Sequence, residues 1–206
     1  MPNKTKEHWE AVYQNKQPHE VSWTQVHPKT SLDLIKATHL DKSAKIIDIG
    51  GGDSHLVDFL LEEGYQNISV LDISAKALER AQKRLGKNAE KVNWIVADIT
   101  QFDTSTTFDI WHDRAAFHFL TTPEEIRNYT ETVNKLVSSY LIIGAFSENG
   151  PKKCSGLDIH QYSETGLEDQ FTNEFQKVKC FTEDHETPFE TKQNFLFCSF
   201  KRKKLK

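Results

Sequence analysis

KIIDIGGGDSHL, residues Lys45 to Leu56, is the stretch on which the fold turns. Lys45–Ile49 is a short, β-branched apolar run bounded by glycine, which predicts a buried strand. Gly50, Gly51 and Gly52 follow it, and an amphipathic pattern from Ser54 to Glu63 predicts a helix ended by Gly64. A strand, a bare turn and a helix make the first half of a β-α-β unit. Three glycines directly after the strand leave no Cβ to block an approaching ligand.

The same alternation continues along the chain. Strands are predicted at Ile68–Leu71, Val92–Val96, Phe108–Trp111 and Tyr140–Phe146. Ser74 caps a helix to about Leu85. Thr122-Pro123-Glu124-Glu125 opens another, with a cap, a first-turn proline and a glutamate at the third position. A short helix is expected near Ser163–Phe171. The last two strands, about Gln176–Glu183 and Asn194–Lys201, have no helix between them and must form a hairpin. The expected fold is therefore α/β: a doubly wound, Rossmann-like sheet of seven strands, mostly parallel, with one antiparallel strand from the C-terminal hairpin and helices on both faces. The chain is expected to be one domain over residues 1–206. Residues 1–40 carry two helical patterns, Trp9/Val12/Tyr13 and Leu32/Leu34/Ile35 after a Thr30-Ser31 cap, and form a cap over the site. Residues 201–206 (KRKKLK) read as a frayed basic tail, with a localisation or anchoring tag as the alternative.

Composition narrows the class. The 206 residues are 37% hydrophobic and 27% charged, with a formal net charge of −4. That is an ordinary globular composition, and the negative balance argues against a nucleic-acid partner. No apolar run approaches the roughly 20 residues needed to span a bilayer, and the N-terminus has no apolar signal core. The expectation is a cytoplasmic protein, monomer or homodimer, away from membranes. Cys154, Cys180 and Cys198 are widely spaced and form no Cys-x-x-Cys pair, which reads as three reduced thiols and no metal site.

In an open parallel sheet, ligands bind beyond the carboxyl ends of the strands, where strand order reverses. A nicotinamide or flavin site would read G-x-G-x-x-G, but His55 stands where the last glycine belongs. Asp72 ends the second strand, where a carboxylate can accept from two ribose hydroxyls. Asp98 ends the third, where it can accept from an adenine amino group. Ile73 and Ile99 are their neighbours. The three strand ends outline a nucleoside with no pyrophosphate grip, which suggests S-adenosylmethionine.

Asp48-x-Gly50-x-Gly52, Asp72 and Asp98-Ile99 resemble the first three motifs of the class I S-adenosylmethionine-dependent methyltransferases. Most members carry a third glycine where this chain has Ser54. Gly50-Gly51-Gly52-Asp53-Ser54 is instead similar to the Gly-x-Gly-Asn-Ser loop of lysine methyltransferases that modify elongation factor 1A. Trp9, Tyr13 and Trp23 resemble aromatic residues that line the cofactor site of that group, and the resemblance implies the same role here. Asp113-Arg114-Ala115-Ala116 resembles that group's Glu-Lys-Gly-Thr, with both last positions replaced. The HDRA-F-H-F and GP-x-x-CSGL signatures also resemble a broad set of bacterial-type methyltransferases. A sulfonium is a cation, so aromatic faces near it are physically apt, although Trp9 and Tyr13 at i, i+4 equally suit plain core contacts.

Methyl transfer is a direct displacement, so the protein must align nucleophile, methyl and sulfur and exclude water. A base is needed only for an acceptor with a high pKa. WHDRAAFHFL, Trp111 to Leu120, supplies His112, His118 and Asp113 as candidates for that chemistry, with Asp113 also able to touch the cofactor. Each histidine equally suits a hydrogen-bonded structural role. Cys154 reads better as a small loop residue than as a nucleophile. Gly150–Leu157, Tyr162 and the segment around His185 are candidate rim elements. The acceptor stays open between a small molecule and a protein lysine. A non-catalytic S-adenosylmethionine-binding protein is the alternative of another class.

Overall fold

The computed structural model describes residues 2–204. Six helices are named here: α1 (Pro2–Asn15), α2 (Lys29–Lys36), α3 (Leu56–Glu62), α4 (Ala75–Leu85), α5 (Pro123–Leu136) and α6 (Glu164–Asp169). Seven strands form the main sheet: β1 (Lys45–Ile49), β2 (Asn67–Asp72), β3 (Val92–Val96), β4 (Phe108–Arg114), β5 (Val137–Phe146), β6 (Phe175–Glu186) and β7 (Lys192–Arg202). Their order is β3-β2-β1-β4-β5-β7-β6. β1 to β5 pair in parallel, and β7 runs antiparallel to both β5 and β6. The order reverses between β1 and β4, so the crevice at their carboxyl ends is the natural ligand position.

Each strand alternates between two cores. Ile47, Trp111, Leu141 and Ile143 pack with Tyr129 and Val133 of α5 and Leu167 of α6. Ile46, Ile110 and Ile142 pack on the other face with Ile35 of α2, Leu60 of α3 and Leu78 of α4. Local signals set the helix ends. Ser74 Oγ accepts from Ala77 N at 3.2 Å. Thr122 and Glu125 close a reciprocal box, with Glu125 N donating to Thr122 Oγ1 at 3.2 Å and Thr122 N to Glu125 Oε2 at 3.0 Å.

Four expectations are corrected. Thr30 and Ser31 lie inside α2, not before it; Ser31 is buried and its hydroxyl faces β4. β4 runs three residues further than expected, to Arg114, because His112–Arg114 pair with Ile142–Gly144 of β5. Cys180 and Cys198 are not reduced thiols: they sit opposite each other on β6 and β7, with Cα atoms 4.2 Å apart, and are joined by a disulfide. Two cysteines 18 residues apart meet because the hairpin register makes them partners. The basic tail is partly strand: Arg202 ends β7 and donates to Asn134 O at 2.8 Å and Val137 O at 2.7 Å. Residues 205 and 206 lie outside the described residues.

Candidate functional site

A cavity opens over the carboxyl ends of β1 to β4, beneath α1 and the segment from Pro18 to Gln25. Of the residues singled out from the sequence, Trp9, Tyr13, Trp23, Asp48, Gly50, Gly51, Ser54, Asp72, Ile73, Asp98, Ile99 and His112 line it. Gly52 sits just behind: a Cβ there would lie 2.8 Å from Tyr13 Oη and 2.9 Å from Asp72 Oδ2. Asp113 and His118 do not line it.

The glycine turn is tightly built. Gly50 and Gly52 have φ of +62° and +46°, which side chains with a Cβ rarely adopt. At Gly51 a Cβ would meet Asp48 Oδ2 at 2.6 Å and Val70 Cγ1 at 2.7 Å. Arg84 of α4 ties the turn's far end down, with Nε and Nη2 on the two Asp58 oxygens at 3.0 and 2.8 Å and Nη1 on Asp53. His55 Nδ1 lies 3.3 Å from Val26 O and joins α3 to the overlying segment.

Asp72 is almost fully buried, and Ser74 N donates to its Oδ1 at 2.8 Å. Burial first, then the nearby Asp48 and Glu10 carboxylates, push its pKa up to about 7. Asp98 Oδ1 accepts from Thr100 N at 2.9 Å and Thr100 Oγ1 at 2.7 Å, which leaves Oδ2 for the cavity side.

Glu10 pins the roof. Its Oε1 accepts from Ala75 N at 2.8 Å, and its Oε2 from Ser74 Oγ at 3.1 Å and Lys76 N at 3.2 Å. A carboxylate on the first turn of α4 satisfies otherwise orphaned N–H groups and complements the helix dipole. This clip holds α1 over the site. Trp9 then meets Trp23 at 5.6 Å and Phe119 at 5.1 Å between ring centroids, and Tyr13 meets Trp23 at 6.4 Å. Sequence reasoning missed Glu10, since nothing local announces a partner more than 60 residues away.

Strand alternation separates the residues of WHDRAAFHFL. Trp111 and Asp113 point to the α5 side. Tyr129 Oη donates to Asp113 Oδ2 at 2.7 Å, and Ala116 N and Phe117 N donate to Oδ1 at 3.0 and 3.1 Å. Asp113 is fully buried, burial pushes its pKa up to about 6, and its oxygens shape the turn after β4 rather than face a ligand. His118 is also fully buried, stacked 4.4 Å from Phe146, with Nδ1 accepting from Phe146 N at 3.2 Å. Burial and then Arg114 hold its pKa down to about 3, so the ring is neutral. His112 reaches the cavity wall, but both ring nitrogens are engaged: Nδ1 with Asp48 Oδ1 at 2.7 Å and Nε2 with Ser31 Oγ at 2.8 Å.

Arg114 shares His112's side of the sheet and lines the cavity with Phe119, Leu120 and Cys154. Burial pushes the Cys154 thiol up to about 11, so it is protonated and a poor nucleophile. Tyr162 is buried against Phe117, on the α5 side, and does not reach the rim. His185 Nε2 lies 2.7 Å from Ser22 O and ties β6 to the covering segment.

Comparison with known proteins agrees with this geometry. Residues 46–139, from β1 into the start of β5, match the family described as Methyltransferase domain. The chain is similar to the eEF1A lysine and N-terminal methyltransferase of Mus musculus, 27% identical over 133 residues, which are 61% of this chain and 18% of that protein. The chain thus spans under a fifth of that relative's length. It is also similar to Nodulation protein S of Rhizobium fredii, 32% identical over 73 residues, 35% of this chain and 39% of that one. The N-methyltransferase NodS from Bradyrhizobium japonicum WM9, solved with S-adenosyl-L-homocysteine, has the same fold: TM-score 0.74 and 17% identity over 98% of this chain and 99% of that one.

Proposed function

We propose, from the match of residues 46–139 to the family described as Methyltransferase domain and from the shared fold, that the protein is an S-adenosylmethionine-dependent methyltransferase acting on a small-molecule nucleophile. The observation that carries the reading is the convergence of the glycine turn, Asp72, Asp98 and the Trp9/Tyr13/Trp23 cluster on one cavity. These residues fit the cofactor by their chemistry. Asp72 offers Oδ2 to ribose hydroxyls, Asp98 offers Oδ2 to an adenine amino group, and the bare Gly50–Gly51 backbone admits close approach. Trp9, Trp23 and Phe119 offer aromatic surface to a cation. Asp48, held by His112, offers its second oxygen to an ammonium.

S-adenosylmethionine supplies a methyl group on a positive sulfur that is already a good leaving group. The protein's part is alignment and exclusion of water. Within the expected cap of residues 1–40, the described residues 2–40 cover the cavity, with Glu10 as their fastening. His112 orients Asp48, and Asp113 sets the turn that carries Phe117 and Phe119. A protein lysine is the second reading of the acceptor, supported by the similarity to the mouse eEF1A enzyme. No described helix is long and apolar enough to cross a membrane, and we place the activity in the cytoplasm.

Calorimetry with S-adenosylmethionine, S-adenosylhomocysteine and NAD tests the reading. Micromolar-range binding of the first two and none of NAD is expected. Binding of NAD in preference to both would overturn it.

A further inference from the structure

Arg114 is a half-buried cation whose best hydrogen-bonding edge is buried and without a partner. Its Nη1 donates to Trp23 O at 3.0 Å. Its Nε and Nη2 are buried and have no partner. These two nitrogens form one side of the guanidinium, and together they match the two oxygens of a carboxylate. Arg114 makes no ion pair among the described residues. Asp48 and Glu183 act on it only at longer range; Asp48 is bonded to His112, and Glu183 accepts from Thr30 Oγ1 at 2.6 Å. The Phe195 ring lies 4.7 Å from the guanidinium carbon and covers one face. Burying charged donors unpaired is costly, so such a fork is expected to meet an anion in the working state.

We propose that Arg114 binds a carboxylate of the methyl acceptor, so that the acceptor is a small organic acid. The inference rests on the methyltransferase reading and adds the substrate class to it. Position favours the acceptor over the cofactor as the source of that carboxylate. Asp72 and Asp98 draw the nucleoside toward β2 and β3. Arg114 lies on the opposite flank, at the end of β4, beside Phe195 of β7 and Cys154, which follows β5. A lysine ammonium at this wall would meet a like charge, which speaks against the protein-lysine acceptor.

The test uses the full chain and its R114Q and R114K variants, each checked for folding by circular dichroism. S-adenosylhomocysteine and 5′-deoxy-5′-methylthioadenosine, which lacks the amino-acid end, are titrated first. Acetate, hexanoate and benzoate, with their amides as uncharged controls, are then titrated into the S-adenosylhomocysteine-loaded protein. The expected result is that at least one acid, and not its amide, binds the loaded wild type. R114Q should lose about tenfold or more of that affinity and R114K part of it, with S-adenosylhomocysteine affinity changed less than about threefold. If no acid is preferred over its amide, the proposal is overturned. It is overturned equally if R114Q weakens S-adenosylhomocysteine about tenfold but leaves methylthioadenosine unchanged, since the fork then holds the cofactor's own carboxylate. Failure of the wild type to bind either adenosyl ligand overturns the methyltransferase reading itself, and this proposal with it.

Discussion

Asp48 and His112 are register partners on β1 and β4, and Asp48 Oδ1 lies 2.7 Å from His112 Nδ1. Ser31 Oγ completes the chain at 2.8 Å from Nε2, so the imidazole spans from α2 to the floor of the cavity. His112 is a positioning residue. His112→Ala leaves a buried carboxylate and a buried hydroxyl without partners and should cost about 2–4 kcal/mol of stability. Denaturant unfolding measures the loss, and S-adenosylhomocysteine affinity should fall with it. Full stability and affinity combined with lost turnover would return His112 to the role of a base.

Asp72 makes ligand-free stability depend on pH. Its folded pKa of about 7 lies above its unfolded value near 3.9. The folded state therefore binds the extra proton, and stability declines as pH rises from about 4 to about 7. Asp113, raised to about 6, adds in the same direction. Asp72→Asn should flatten this slope, and unfolding curves at pH 5, 6 and 7 check it.

The same carboxylate reverses the trend when the cofactor binds. Ribose hydroxyls donate to the ionised form, so affinity should rise up to about tenfold between pH 6 and 8. Asp72→Ala should weaken binding about 10–100-fold at pH 8, the loss of one or two charge-assisted hydrogen bonds. Calorimetry at pH 6 in two buffers of different ionisation enthalpy should show proton release in the wild type and little in the variant. Undiminished affinity would remove Asp72 from the site.

Trp9 and Trp23 should discriminate a charged sulfur from a neutral one. Their ring centroids are 5.6 Å apart on the cavity roof. Trp23→Ala should weaken S-adenosylmethionine about 2–30-fold more than S-adenosylhomocysteine, the range expected for a lost cation–π contact. Equal losses for both ligands would mean that the ring contributes shape alone.

Gly51→Ala should damage the turn itself. The new Cβ would sit 2.6 Å from Asp48 Oδ2 and 2.7 Å from Val70 Cγ1. Overpacking of this kind costs about 1–3 kcal/mol. Adenosyl-ligand affinity should fall at least about tenfold, and titration of the folded variant measures it.

Asp113→Ala should act on stability first, and on the ligand only through the turn that carries Phe119. Three donors, from Tyr129, Ala116 and Phe117, would lose their acceptor, at about 2–4 kcal/mol. Once the variant is confirmed folded, S-adenosylhomocysteine affinity should stay within about threefold of wild type.

Most of the fold and of the cavity lining over β1 to β3 was legible because the interactions behind it are local. β1 and β3 keep the bounds that their sequence pattern predicts. Ser74 and the Thr122–Glu125 box cap their helices through bonds spanning three residues. Asp72 ends β2 and Asp98 caps the short turn two residues past β3, and both are positions in sequence. The cavity wall at the end of β4 was less legible because it depends on which face a strand residue takes. His112, Asp113 and Arg114 look like three neighbours after a strand. Pairing with β5 makes them the strand's last residues, and a period of two then sends Asp113 to α5 and its neighbours to the other side.

By itself, then, the sequence determined the order of strands and helices, the glycine turn and the acidic strand ends, since each rests on bonds or sterics within a few residues. Only the tertiary structure decided what distant segments do to one another. It set Glu10 on the first turn of α4, Cys180 opposite Cys198, and Arg114 with an empty fork in the cavity wall. These outcomes follow from register and packing between segments up to 91 residues apart. A shift of one position would reverse the facing of every side chain in a strand, and no local pattern encodes that choice.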